Sequence, residues 1–286
     1  MTDTSNLPVQ VAALQYCAAG TAAETLSFLL PMITRAAEDG ATLVCLPEAA
    51  SFLAANRACL REEAETEDNS PTLDQLCHHA AGHSVAILAG SLMMRRPEDD
   101  TLVNRTMLID ANGGICAHYD KIHMFDANVG DGHRYRESDS FVAGNRMVVA
   151  DMAGIKIGLS ICYDLRFPGL YRGLARAGAK ILSIPAAFTF PSGKAHWHVL
   201  LRARAIETGC FVVAPAQCGT HADGRRTYGH AMIVSPWGEI LAEAPTDDTN
   251  AAAGANDGII HATLDPATVT GARNAIPSLA SNPDFW

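Results

Sequence analysis

The chain has 286 residues, 48% of them hydrophobic and 18% charged, with a formal net charge of −10 at pH 7. That length supports one large core or two small ones, and the mix is globular rather than disordered. The surplus of negative charge argues against binding phosphate backbones or anionic lipid, so neither nucleic acid nor a membrane is an expected partner.

The opening MTDTSNLP has no basic segment followed by an apolar one, and nothing marks a signal peptide. No stretch approaches the roughly 18 apolar residues needed to span a bilayer. A cytoplasmic protein is expected. VQVAALQ (9–15) reads as a strand. Residues 22–39 read as a helix with Leu26, Leu29, Leu30, Ile33 and Ala37 on one face, where Pro31 predicts a kink or a late start. TLVCL (42–46) is a buried strand, and a helix near 71–82 is opened by Ser70 as its cap with Pro71 in its first turn.

A strand-rich middle follows, with VAILAGSLMM (85–94), LVNRTMLID (102–110) and ICAHYD (115–120), the last two joined by the hairpin signal Ala111-Asn112-Gly113-Gly114. MVVAD (147–151) and IKIGLSI (155–161) are two more strands. Beyond Cys162 come a helix at about 168–178, strand KILSIP (180–185), and an amphipathic helix at 195–208 with Val199, Leu200, Ala203 and Ile206 on one face. Strands are expected at FVVAPAQ (211–217), YGHAMIV (228–234), EILAE (239–243) and GIIHATL (258–264), with a surface loop at 244–257. Hairpins mixed with βα units imply an α/β fold of mixed sheets covered by helices. No repeat or long linker divides the chain, so residues 1–286 read as a single domain.

Eight cysteines are present and none forms a C-x-x-C pair. Most read as small buried hydrophobes, as Cys45 does in TLVCLP. Cys162 has a different context, because it follows a strand and precedes a helix. Such an elbow exposes a nucleophile to a cleft. Glu48 follows TLVCL through Pro47, and Lys121 follows ICAHYD. All three sit past the C-terminal ends of strands, where open α/β folds place ligands. Taken singly, each has an ordinary explanation: a core thiol, a helix-start carboxylate and a surface lysine. Their shared placement is the signal. The eleven histidines offer no partner that stands out for a Cys–His hydrolase. His196-x-His198 does not put both rings on one helical face, and His230 reads as a core or cleft residue in an apolar strand. No spacing resembles a zinc site, and no metal is expected.

LPEAA around Glu48, HYDKIHMFD around Lys121 and GLSICYDLRFPGLYR around Cys162 together resemble the three catalytic blocks of the nitrilase superfamily of carbon–nitrogen hydrolases. Three separated motifs in the right order cover essentially the whole chain. AHWHVLLRARAIETGCFVVAPAQCGTH and YGHAMIVSPWGEI are most similar to the Nit subgroup within it. The resemblance implies an α-β-β-α sandwich and a Glu48–Lys121–Cys162 triad. It also implies Glu137 as a second glutamate beside the lysine, and a homodimer or larger homo-oligomer. The implied reaction is hydrolysis of a small carboxyamide, such as a 2-oxo acid amide, through a cysteine thioester and with no cofactor. Other activities of the superfamily, on nitriles, N-carbamoyl amino acids or aliphatic amides, share the triad. A triad-bearing protein that only binds is the remaining alternative.

On this reading the oxyanion sits between Lys121 and the backbone N–H of Tyr163. Arg166, four residues after Cys162, is the expected clamp for a substrate carboxylate, and Phe188 and Thr189 line the pocket. Arg134, Arg136 and Lys194 are the next cations in reach. The loop His133-Arg134-Tyr135-Arg136 is unusually basic and aromatic for the family. Moving a proton from a free thiol to a free carboxylate is uphill by roughly four pK units, about 6 kcal/mol. Burial of Glu48, together with the Lys121 charge acting on the thiolate, is expected to close that gap.

Overall fold

The computed structural model describes residues 7–152, 154–246 and 254–281. The chain opens with β1 (Val9–Tyr16), α1 (Ala22–Glu38), β2 (Leu43–Cys45), α2 (Arg57–Glu63) and α3 (Pro71–His83). Three strands follow: β3 (Ala86–Arg95), β4 (Leu102–Ile109) and β5 (Ile115–Asp120). A short hairpin of β6 (Asp126–Ala127) and β7 (Tyr135–Arg136) leads to β8 (Val148–Met152) and β9 (Ile155–Leu159). Next come α4 (Pro168–Arg176), β10 (Ile181–Ser183), α5 (Phe190–Thr208), β11 (Phe211–Ala214) and β12 (Ala216–Thr220). The chain closes with β13 (Arg226–Tyr228), β14 (Met232–Val234), β15 (Ile240–Glu243), β16 (Gly258–Leu264) and α6 (Pro266–Ala275).

One sheet runs β13-β12-β1-β2-β3-β4-β5, with β16 also paired to β1; the other runs β15-β14-β11-β10-β9-β8. In each, a parallel centre (β12-β1-β2-β3 and β9-β10-β11) is flanked by antiparallel strands. The pleat of β1 explains the layering. Val9, Val11 and Ala13 face the second sheet and share a core with Leu159, Leu182 and Val212. Ala12, Leu14 and Tyr16 point the other way, onto Leu26, Leu29 and Ile33 of α1 and Leu73 and Leu76 of α3. Alternation of side chains along a strand buries both faces of the sheet, which is why the strand reads as almost continuously apolar. Tyr171 and Leu174 of α4 and Trp197, Leu201 and Ala205 of α5 cover the second sheet. The result is the expected α-β-β-α sandwich of the nitrilase type.

Local signals act as expected at several points. Ser70 Oγ accepts the Leu73 N–H at 3.0 Å and caps α3 behind Pro71. Helix α1 starts at Ala22 and runs through Pro31, so there is no late start. Pro31 and Ser27 both lie on the exposed side, where the carbonyl that loses its partner meets water.

Other expectations need correction. FVVAPAQ is not one strand: β11 belongs to the second sheet and β12 to the first, and the chain crosses between them at Pro215. YGHAMIV is divided in the same way between β13 and β14, with Gly229 and His230 at φ of +74° and +56° between them. Helix α5 begins at Phe190, and the face bearing Val199 and Ile206 is turned outward, these two being 68% and 52% exposed. Its buried face is Trp197, Leu201, Arg204, Ala205 and Thr208. Arg204 is accommodated there because its Nε donates to Leu165 O at 3.0 Å and its Nη1 to Glu207 at 2.7 Å. Helix α2 and the β6–β7 hairpin carry no strong sequence period. Residues 247–253 of the expected loop at 244–257, and residues 1–6 of the N-terminal segment, lie outside the described residues. Among the described residues no helix is long and apolar enough to cross a membrane.

At Gly90 of β3 the two sheets approach too closely to admit a side chain. A Cβ there would lie 1.7 Å from Leu46 O and 2.5 Å from Pro185 Cβ. Gly90 therefore sets the spacing between the segment after β2 and the segment after β10. Gly90→Ala should destabilise the protein by about 1–3 kcal/mol or more, the cost of overpacking a closed core. A urea midpoint equal to the parent's would mean that the two segments part freely.

Candidate active site

The crossing of the two sheets brings together strand ends that are far apart in sequence. Glu48 follows β2, Lys121 follows β5 and Cys162 follows β9. β5 is antiparallel to β4, which is antiparallel to β3, so β5 runs with β2 and both deliver their residues at the same end. Cys162 adopts φ of +49°, a region that non-glycine residues rarely hold, and its N–H is tied to Pro185 O at 2.8 Å. This is the strained elbow that exposes the sulfur to a cavity.

Lys121 Nζ lies 2.8 Å from Glu48 Oε1, and 2.9 Å and 2.8 Å from the two oxygens of Glu137. The Cys162 thiol faces Glu48, near enough for each group to shift the proton affinity of the other. Ala187 N–H reaches Glu48 Oε2 at 2.9 Å. Burial disfavours the Glu48 charge, but Lys121, the thiol and the Ala187 N–H outweigh it and hold the carboxyl below its ordinary value. Burial, followed by the Glu48 charge, pushes the thiol well up, with Lys121 opposing. Burial also opposes the Lys121 charge, yet Glu137 and Glu48 raise its pKa well above the ordinary value. The resting state is thus carboxylate, ammonium and neutral thiol. The expected rise of Glu48 toward the thiol does not occur, because the ammonium bonds the carboxylate directly. The two proton affinities stand further apart than in the free groups. A thiolate can then form only as the sulfur attacks, when the charge passes to an electrophile.

These groups open onto a cavity of about 400 Å³ that also touches Tyr163, Arg166, Phe188 and Thr189. Arg166 Nη1 lies 3.2 Å from His196 Nδ1, and its guanidinium sits 5.4 Å from the Phe188 ring centre. Among the described residues no carboxylate pairs with it. Thr189 Oγ1 is 2.7 Å from Ser192 Oγ. Arg134 and Arg136 line the cavity, while Lys194 is not among its lining residues.

Three supporting residues were not singled out from the sequence. Asn104, in β4, donates from Nδ2 to Glu48 Oε1 at 3.0 Å and to Glu137 Oε1 at 3.1 Å. Gln217 donates to the Glu48 and Ala49 carbonyls. Asp164 accepts from Tyr119 OH, Ile161 N–H and His123 N–H at 2.8–3.1 Å, and its Oδ1 is 2.6 Å from His123 Nδ1. It ties the Lys121 segment to the Cys162 elbow. A polar residue inside an apolar strand, as in LVNRTMLI, is the one sequence signal for Asn104.

Asn104→Asp keeps the shape but places a third carboxylate against Glu48 and Glu137. An uncompensated buried charge should cost about 3–5 kcal/mol at pH 8. The added carboxyl has its pKa raised by its neighbours, so the folded variant binds a proton that the unfolded chain does not, and the deficit against the parent shrinks as pH falls toward 5.5. Urea unfolding of both proteins across that range checks this, and a deficit independent of pH would contradict it.

The description of the carbon–nitrogen hydrolase family matches residues 10–274 of the chain. The chain is 43% identical over 237 residues to the deaminated glutathione amidase of Yersinia enterocolitica, covering 82% of each protein. It is 42% identical over 276 residues to the deaminated glutathione amidase of Synechocystis, covering 95% of this chain and 97% of the other. The crystal structure of Saccharomyces cerevisiae Nit3, a member of branch 10 of the nitrilase superfamily, matches with a TM-score of 0.84 at 27% identity over 97% of both chains. Motifs, fold and near-complete family coverage agree: the chain belongs to the carbon–nitrogen hydrolase family, the nitrilase superfamily, and is an amidase-type hydrolase of carbon–nitrogen bonds.

Proposed function

We propose that Cys162 is the nucleophile that cleaves a small 2-oxo acid amide, of which deaminated glutathione is the leading candidate. The observation that carries the reading is a thiol on the same cavity wall as a carboxylate that holds a buried ammonium, in a cavity that also bears a guanidinium with no acidic partner among the described residues. The names of the two bacterial relatives support the substrate class.

Glu48 takes the thiol proton as the sulfur adds to the amide carbon. Lys121 has three N–H donors, and Glu48 and Glu137 engage it on one side; the remaining donor meets the developing oxyanion together with the Tyr163 N–H. Collapse of the intermediate breaks the C–N bond, and Glu48 returns the proton to the leaving ammonia or amine. A thioester remains. Water deprotonated by Glu48 attacks it, and the thiolate leaves and recovers the proton. Glu137 keeps Lys121 charged and oriented. Arg166 grips the acyl-side carboxylate, with the Phe188 ring beneath it and Thr189 beside it. The same reading takes the chain as one catalytic domain, cytoplasmic and assembled as a homodimer or larger homo-oligomer. Support for assembly comes from Val199 and Ile206 on α5 and Trp237, Ile240 and Leu241 near β15, all exposed.

Product release from deaminated glutathione, 2-oxoglutaramate, glutamine, an N-carbamoyl amino acid and a simple nitrile tests the substrate class. The two oxo acids should be turned over best, and a preference for the nitrile or the carbamoyl compound would overturn the assignment. Cys162→Ala should be inactive yet folded. Lys121→Arg should lose about a hundredfold or more in kcat, since one oxyanion donor is worth that much and the guanidinium is too large for the position. A variant within about threefold of the parent would make Lys121 purely structural.

Arg166→Ala should raise KM for the 2-oxo acid amide by about ten- to a hundredfold, from the loss of a charged hydrogen bond of about 1.5–3 kcal/mol. A neutral amide of equal length should be almost unaffected. Equal losses of kcat/KM for both would show that Arg166 does not read the carboxylate.

A further inference from the structure

Away from the cavity, three side chains from three elements converge on one point. His198 comes from α5, His230 from the link between β13 and β14, and Glu243 from the end of β15. Glu243 Oε1 lies 2.9 Å from His198 Nε2 and 2.7 Å from His230 Nδ1. One donor atom from each residue falls within 4.8 Å of the other two. None of the three lines the cavity that holds Cys162.

The surroundings hold this arrangement in place. His230 sits at φ of +56° directly after Gly229 at +74°, a left-handed turn that aims its ring back toward α5. Trp197, one residue before His198, donates from Nε1 to His230 O at 2.8 Å and fastens the turn to the helix. The Tyr228 ring stacks on His230 at 4.3 Å between centres and meets His198 edge-on at 6.0 Å. The side chains of His230, Glu243 and His198 are 16%, 31% and 33% exposed, so the cluster is shielded but open to water on one side.

Two imidazoles and one carboxylate with a position left for solvent is a donor set for zinc. Hard cations such as calcium and magnesium prefer all-oxygen shells and fit poorly. Around a tetrahedral ion with bonds of about 2.0–2.2 Å, donors stand roughly 3.3 Å apart. The two separations to Glu243 are shorter by about half an ångström, a change that small ring rotations supply.

We propose that His198, His230 and Glu243 bind one zinc ion, with water completing its shell. The ion takes the place now held by the hydrogen bonds to Glu243, and each imidazole ligates through that nitrogen while carrying its proton on the other ring nitrogen. It joins α5 to the β13–β15 segment and acts on the stability of the fold, not on the chemistry at Cys162. No sequence spacing announces the site, because its ligands are separated by 32 and 13 positions (198 to 230 and 230 to 243).

The test uses the full chain carrying Cys162→Ala, which removes the cavity thiol as a competing zinc ligand. Calorimetric titration with zinc should find about one site per chain, and excess zinc should raise Tm. Adding His198→Ala, or separately Glu243→Gln, should weaken zinc binding by about a hundredfold and abolish the Tm rise, while Tm without zinc stays close to that of the Cys162→Ala protein. His198→Gln serves if the alanine variant does not fold. In crystals soaked in zinc, the anomalous signal should lie between these three side chains. Zinc affinity unchanged in both variants, no zinc uptake by the Cys162→Ala protein, or an anomalous peak elsewhere would each overturn the site.

Discussion

A buried ammonium between two carboxylates governs this molecule. Lys121 is 2% exposed and Glu48 6% exposed, so each ion has lost nearly all its water. Such a cluster is tolerable only when every lone pair and proton finds a partner. Here Asn104 serves one oxygen of each carboxylate, Ala187 N–H serves the other oxygen of Glu48, and Phe125 N–H serves the other oxygen of Glu137. These partners come from β4, from the segment after β10 and from the loop before β6. Both sheets must therefore be in register for the charges to be stable at all.

The nucleophile elbow is tied into the same network by a second buried carboxylate. Asp164 is fully buried and bonds the backbone before Cys162, the Tyr119 hydroxyl on β5 and both the backbone and the ring of His123. His123 in turn stacks on Phe167 at 3.5 Å. The strand that leads to Lys121 and the turn that carries Cys162 are thus tied together. The positive φ of Cys162 is sustained by this surrounding structure, as strained positions at reactive sites generally are.

Net charge and local charge point in opposite directions. The chain carries −10 overall, yet Arg57, Arg134, Arg136 and Arg166 all line the cavity. The Asp223–Arg225 pair, with Nε and Oδ2 2.8 Å apart, is neutral as a unit. An anionic substrate is repelled by most of the surface and attracted at one mouth, and low-dielectric walls strengthen that focusing.

The chain order of strands and helices was legible because β-pleat and helix periods leave separate marks on an apolar pattern. Glu48, Lys121 and Cys162 stood out because each sits within a few residues of the end of a strand. The sequence alone also carried the family, through three short motifs. It could not show that FVVAPAQ and YGHAMIV each change sheets midway, since a crossing strand is as apolar as a continuous one. Nor could it show which face of α5 is buried: Arg204 goes inside because Leu165 O and Glu207 receive it, and Val199 stays outside. Asn104, Gln217 and Asp164 support the charged cluster through contacts across 33 to 169 positions of sequence. The protonation state of the site was decided the same way. Burial alone would raise Glu48, and the 2.8 Å approach of Lys121, helped by the thiol and the Ala187 N–H, turns the balance, all products of packing. Local pattern specifies elements and their order; where long-range charges meet is set by the fold that brings them together.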